Sequence, residues 1–243
     1  MRSEILISLI VTGIVVALVS GATFAFFSDT ETSTGNTFTA GSIDLKIDFE
    51  CPAPGCGWTL RDLGDNGGVF FWECDIKPGD WGEATISWHV YGNNAWGRLR
   101  FDVVNYENNC TEPESEVDTT CGSPGTGEGE LIDYLLFTVW MDEGSYEGWQ
   151  CTGGEGSCEA DREEGDNILN GIEEPIVANK SLSDIIDDGG IELPVELQAS
   201  TTYYLGVEWR VPTDAGNIIQ SDSLVGSIIM EVVQSKNNPS PWQ

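Results

Sequence analysis

The sequence predicts an all-β fold, two sheets packed as a β-sandwich of jelly-roll type. Three observations carry that expectation. Apolar and polar residues alternate over several separate stretches, the period of a half-buried strand. Gly, Pro and Asn turns separate those stretches, and almost nowhere does a helical period appear. The chain has 243 residues, 40% hydrophobic with nine Trp, which suffices for one sizeable core. No linker or internal repeat interrupts it, so residues 42–236 are expected to form one domain.

Taken in order, Met1 to Ser20 has the layout of an export signal: Arg2 supplies the positive end and Ile5 to Val19 is uncharged and apolar. Thr23-Phe24-Ala25 places small residues at both critical positions, so cleavage is expected between Ala25 and Phe26. The uncharged run continues to Phe27, long enough to span a bilayer if it is not cleaved. Residues 1–25 are therefore a signal peptide, and 26–41 an extended, polar, Thr-rich segment ending at Gly41. A strand follows, in which Ile43, Leu45, Ile47 and Phe49 alternate with Ser42, Asp44, Lys46 and Asp48.

Cys51 to Asn66 has the composition of a loop, and Val69 to Glu73 that of a short strand. Lys77-Pro78-Gly79-Asp80 is a turn. Glu83 to Val90 alternates, with Ala84, Ile86, Trp88 and Val90 on one face and Thr85, Ser87 and His89 on the other. Asn93-Asn94 marks a turn before a strand carrying Leu99, Phe101 and Val103. An acidic, Gly-rich excursion covers Asn105 to Glu130. Leu131 to Met141 is the most apolar stretch beyond the signal and is expected to be a central strand. A second acidic excursion covers Asp142 to Asn170. A short helix is expected between Ile172 and Ile186, capped by Ser183. Strands are expected at Pro194 to Leu197, Thr202 to Val211 and Leu224 to Val233, and residues 237–243 form a flexible tail.

Charge narrows the function classes. Asp and Glu number 41 against 10 Lys and Arg, a net charge of −31. Loss of residues 1–25 removes Arg2 and Glu4 together, so the exported chain keeps −31. Such a surface repels nucleic-acid phosphate, which argues against nucleic-acid partners. It favours cation binding and screening by salt, whether as adaptation to high salt or as an ordinary acidic secreted surface.

All seven cysteines, Cys51, Cys56, Cys74, Cys110, Cys121, Cys151 and Cys158, lie beyond the cleavage point. In an exported chain they are disulfide candidates. Short loops favour Cys110–Cys121 and Cys151–Cys158, with two of the remaining three paired and one thiol left over. Zinc is the weaker alternative, because no C-x-x-C pair occurs. Asp161, Asp166, Asn170 and Glu173 crowd one oxygen-rich loop, which suits calcium, although the EF-hand spacing fails at Ile168. Asn109 and Asn179 head glycosylation sequons. No catalytic residue stands out: His89 is the one histidine, and neither H-E-x-x-H nor G-x-S-x-G occurs.

Several pieces in order resemble the TasA/camelysin family, which takes in archaeal bundling-pilus subunits. They are Thr23 to Ile47 (TFAFFSDTETSTGNTFTAGSIDLKI), Ile76-Lys77-Pro78-Gly79-Asp80, Tyr204-Leu205-Gly206-Val207-Glu208-Trp209 with Pro212, and Gly216 to Ser223, ending with Val233-Gln234. The two Cys-bearing acidic loops have no counterpart and look like insertions.

The resemblance implies a secreted jelly-roll subunit of an extracellular filament, pilus or biofilm matrix fibre. In that family the freed N-terminal strand completes the sheet of the next subunit, a head-to-tail contact that propagates. Phe26, Phe27, Ser28, Asp29, Thr37, Phe38 and Thr39 would bound the donor here. The expected partners are copies of this chain with a minor capping or anchoring subunit, and the membrane is met only through the signal segment. The alternatives are a monomeric secreted module binding calcium or glycan and, more remotely, the secreted peptidase that the camelysin label implies.

Overall fold

A computed structural model describes residues 42–50, 57–61, 71, 73, 75–121, 125–146, 148–149, 161–239 and 241–242. The expected cleavage site and donor segment lie outside the described residues. Among those residues the fold is all-β, with every strand pairing antiparallel. The strands in order are β1 (Ile43–Glu50), β2 (Gly57–Arg61), β3 (Trp81–Gly92), β4 (Ala95–Asn108), β5 (Gly125–Thr126), β6 (Leu136–Met141), β7 (Pro175–Ser181), β8 (Ile191–Glu192), β9 (Thr202–Arg210) and β10 (Ser223–Gln234). One sheet runs β2-β1-β3-β9-β6-β7; the other runs β10-β4-β5, with β8 also on β4.

The two sheets turn their alternating apolar residues towards one core. Ile86, Trp88 and Val90 of β3, Phe137 and Val139 of β6, and Leu205, Val207 and Trp209 of β9 are buried with Ala95 and Leu99 of β4. Each fully buried side chain of this size contributes about 1.5–3 kcal/mol over its exposed state. Asn93 and Asn94 separate β3 from β4, so this short connection carries the chain from one sheet to the other. In the Lys77 to Asp80 turn, Asp80 N–H donates to the Lys77 carbonyl at 3.0 Å. Gly79 there has φ +93°, a conformation that a side chain disfavours.

Several expectations are corrected. Leu131 to Met141 is not one strand: Leu131–Tyr134 forms a helical turn, α1, and only Leu136–Met141 joins the sheet, between β9 and β7. A stretch this apolar, interrupted only at Asp133 and Thr138, has no clear period to separate the two states. The next helix, α2 (Leu182–Asp187), is capped by Ser181 rather than Ser183, with Ser181 Oγ accepting from Asp184 N–H at 3.2 Å. The strand expected at Pro194 to Leu197 sits earlier, at β8, leaving a single bridge between Leu197 and Ala95. The loop expected over Cys51 to Asn66 contains β2, and β7 was not anticipated at all. Of the strand expected at Val69 to Glu73, Phe71 and Glu73 are described, and neither is in a strand.

The outer face of the six-stranded sheet is covered as well. Thr85 and Ser87 are buried, and Gly206 leaves room for the Trp140 indole, which a Cβ at that position would strike. At the tail, Trp96 Nε1 donates to the Asn238 carbonyl at 2.8 Å. The Arg98 guanidinium stands 4.0 Å over the Trp242 ring, so residues expected to be loose make two contacts with β4.

Candidate functional site

β10 is a long edge strand. It pairs with β4 from Ser223↔Glu107 to Gln234↔Ala95, with one irregularity where β4 inserts Val104. Among the described residues nothing pairs with its other side. Leu224, Ile228, Met230 and Val232 point to the core, yet no residue of β10 is fully buried. Met230 remains half-buried, whereas its cross-strand neighbour Leu99 is 0% exposed. Across the sandwich, Ile43 and Leu45 of β1 are also only partly covered. The result is an apolar strip beside a row of backbone groups that no described residue pairs.

Edges of this kind are normally protected by charge, Pro or bulges. The other long edge, β7, opens with Pro175, holds Asn179 at φ +50°, and pairs Lys180 with Asp188. By contrast β10 carries one charge, Glu231. Arg98 neutralises it through Nε and Nη2, at 3.0 and 2.7 Å from Oε2, and Arg100 Nε lies 3.4 Å from Oε1. Two of the ten basic residues are thus used to quiet the one repulsive group on this edge.

The second acidic excursion uses carboxylates as internal staples. Asp161 Oδ2 accepts from Ser145 and Tyr146 N–H at 2.8 and 3.0 Å. Glu173 accepts from Gly144 and Asn170 N–H at 2.7 and 2.9 Å, and Asp166 from Ile168 N–H at 2.9 Å. Asn170 keeps a buried Oδ1 without a partner. At the centre stands Asp142, 0% exposed, which accepts from Gly165 and Asn167 N–H at 2.9 and 2.7 Å. Burial pushes its carboxyl up from 3.8 to about 7, and the charges of Glu173 and Asp166 add to the rise. Burial likewise raises Glu173.

The folded state therefore holds protons here that the unfolded chain releases at lower pH. Stability falls as pH rises from about 4 to about 7, by up to about 4 kcal/mol from Asp142. Thermal melts at constant ionic strength should show Tm dropping through that window. Asp142→Asn should flatten the slope even if it lowers Tm throughout; an unchanged slope would show that Asp142 is not the titrating group.

The first excursion is stapled differently. Cys110 and Cys121 form a disulfide, Cα atoms 5.4 Å apart, as expected. Cys51, Cys56, Cys74, Cys151 and Cys158 lie outside the described residues. Beside the bridge, Asp118 accepts from Asn108 Nδ2 at 2.8 Å and from the N–H and hydroxyl of Thr120 at 2.7 Å. Burial raises its carboxyl, but these bonds outweigh that and hold it below the usual range. Asn109 is exposed and its Nδ2 donates to the Ser221 carbonyl at 2.7 Å; Asn179 is exposed on β7.

His89 lies on a central strand, not at an edge or in solvent. Its Nε2 is 2.8 Å from Ser87 Oγ and its Nδ1 is 3.0 Å from Thr202 Oγ1. Sequence reading missed Asp142, Glu114, Glu130 and Asp222. Their importance comes from burial and convergence, which no local pattern records.

No curated protein matches the chain. Among the described residues no helix is long and apolar enough to cross a membrane. A family model described as Camelysin metallo-endopeptidase matches residues 1–53, a stretch that takes in β1 and stops before β2. Over those residues the chain matches the camelysin and TasA family, in agreement with the resemblance in its sequence, and at family level this fits a secreted protein of the biofilm matrix.

Proposed function

We propose that the chain is a structural subunit of an extracellular filament, a jelly-roll protein that polymerises by lending residues 26–39 to the β10 edge of the next copy. The observation that carries this reading is β10 itself: twelve residues, no Pro, one neutralised charge, and a half-covered apolar face. A donated strand satisfies the free N–H and C=O groups and covers that face, with alternate side chains setting register. The contact is head-to-tail and does not close on itself, so it extends into a polymer. The family match over residues 1–53 supports the reading because it spans the proposed donor.

The peptidase label in the family's description finds no support in the one histidine, whose ring nitrogens both sit at hydroxyls. Casein turnover by the purified protein, abolished by a chelator, would restore that alternative. Electron microscopy of material sheared from producing cells tests the main reading. Filaments composed of this chain are expected; the chain found only as free monomer would count against it.

A further inference from the structure

We propose that Glu114, Glu130 and Asp222 form a calcium site that ties the disulfide-linked loop to the start of β10. The three residues come from separate places: a 3-10 turn (Glu114–Glu116), the residue before α1, and the residue before β10. One carboxylate oxygen from each lies within 4.8 Å of the others. That upper bound is about twice a calcium–oxygen bond of 2.3–2.6 Å, so three oxygens this close can reach one ion.

Each carboxylate is anchored by one oxygen and leaves the other without a partner. Glu114 Oε2 accepts from Ser221 Oγ at 2.6 Å and Thr111 N–H at 3.2 Å. Glu130 Oε1 lies 2.9 Å from Thr120 Oγ1, whose one proton is shared with Asp118 Oδ1 at 2.7 Å. Asp222 Oδ2 accepts from Leu131 N–H at 2.8 Å. Glu114 Oε1, Glu130 Oε2 and Asp222 Oδ1 are all buried and unpartnered.

Glu114 is the decisive member. It is 0% exposed, and among the described residues no Lys or Arg pairs with any of the three. Burying carboxylates without a counter-charge carries a penalty of several kcal/mol per ion. A solvated acidic cluster does not explain this arrangement, because Glu114 is 0% exposed and one oxygen each of the partly exposed Glu130 and Asp222 is buried. A hard divalent cation answers it: oxygen-only ligands, two positive charges against three negative ones, and anchored side chains. The second group of potential ligands nearby, Cys110, Asp118 and Cys121, is consumed by the disulfide and by the bonds to Asp118. Calcium at the carboxylate site would fix Asp222, and through it the first residues of β10.

Equilibrium dialysis of the exported full-length chain against calcium alone, in about 1 M NaCl, tests the site. At that salt the Debye length is about 3 Å, so diffuse binding to the acidic surface is suppressed. One saturable calcium per chain is expected, together with a rise in Tm on adding calcium. Glu114→Gln and Asp222→Asn should each lose both effects, while Asp166→Asn, in the other acidic loop, should keep them. If Glu114→Gln does not fold by circular dichroism, Asp222→Asn and Glu130→Gln decide, since both positions are only partly buried. No saturable calcium in the parent chain, or calcium retained by the folded variants, overturns the assignment. Dialysis reads calcium bound per chain in any state of assembly, so the result stands whether or not the chain polymerises.

Discussion

Deleting residues 26–40 is expected to abolish polymerisation while leaving a folded, soluble monomer. Trp88, Leu99, Val139 and Leu205, each 0% exposed, stand on β3, β4, β6 and β9, all of which lie beyond the deleted stretch. The deletion should therefore leave the far-ultraviolet spectrum of a β protein and a cooperative melt. What it removes is Phe26, Phe27 and Phe38, each worth about 1.5–3 kcal/mol when buried. It also removes a ladder of main-chain hydrogen bonds, each about 0.5–1.5 kcal/mol net. Against those gains stands the ordering of a flexible segment, about 1–2 kcal/mol per residue. The balance leaves little margin, so losing the donor should raise the concentration needed for assembly by orders of magnitude. A synthetic peptide of residues 26–40 should bind the truncated monomer, protect alternate amides of β10 from hydrogen exchange, and halt growth of fibres formed by the intact chain. Fibres seen after the deletion would show that assembly uses a different surface.

The second large effect is expected at the acceptor. Ile228→Lys or Met230→Lys places a charge on the half-covered inner face of β10. Because both positions are only partly buried, a lysine stem packs along the strip and its ammonium reaches water at the rim. The monomer should lose about 1–3 kcal/mol of stability and stay folded. Assembly should fail, because a donor's aromatic side chain would then have to bury that ammonium without a partner. Val225→Lys is the control: Val225 is 60% exposed, on the face away from the core, so both folding and assembly should survive. Sedimentation velocity separates the outcomes. If the inward lysines polymerise as readily as the parent, β10 is not the acceptor.

How much of this was legible in the sequence depended on the kind of signal. β1, β3 and β9 were legible because apolar residues alternate along them, and β10 as a mostly β-branched stretch, Ile228-Ile229-Met230 and Val232-Val233, after a turn. β6 was confused with α1 because a stretch as apolar as Leu131 to Met141 fits either state until the sheet selects one. β7 was hidden by Pro175 at its start and by Asn179 and Lys180 within it, the features that suit an edge strand. That β10 stands at a sheet edge among the described residues was invisible, since strand order is a property of the whole sheet. The oxygen-rich loop at Asp161, Asp166, Asn170 and Glu173 was visible as composition, but its carboxylates prove to hold backbone N–H groups around Asp142. Glu114, Glu130 and Asp222 lie far apart in the chain, and only the fold brings their oxygens within 4.8 Å. An acidic chain offers many candidate ligands by composition, so burial rather than count singles out these three.

A cryo-electron microscopy map of the assembled polymer bears most directly on the central claim. The account predicts a continuous ribbon formed by residues 26–39 of one subunit, lying antiparallel or parallel beside β10 of its neighbour, with Phe38 over the strip formed by Ile228 and Met230. A map in which that ribbon returns to its own subunit's sheet, or in which β10 faces solvent along the fibre, would contradict it.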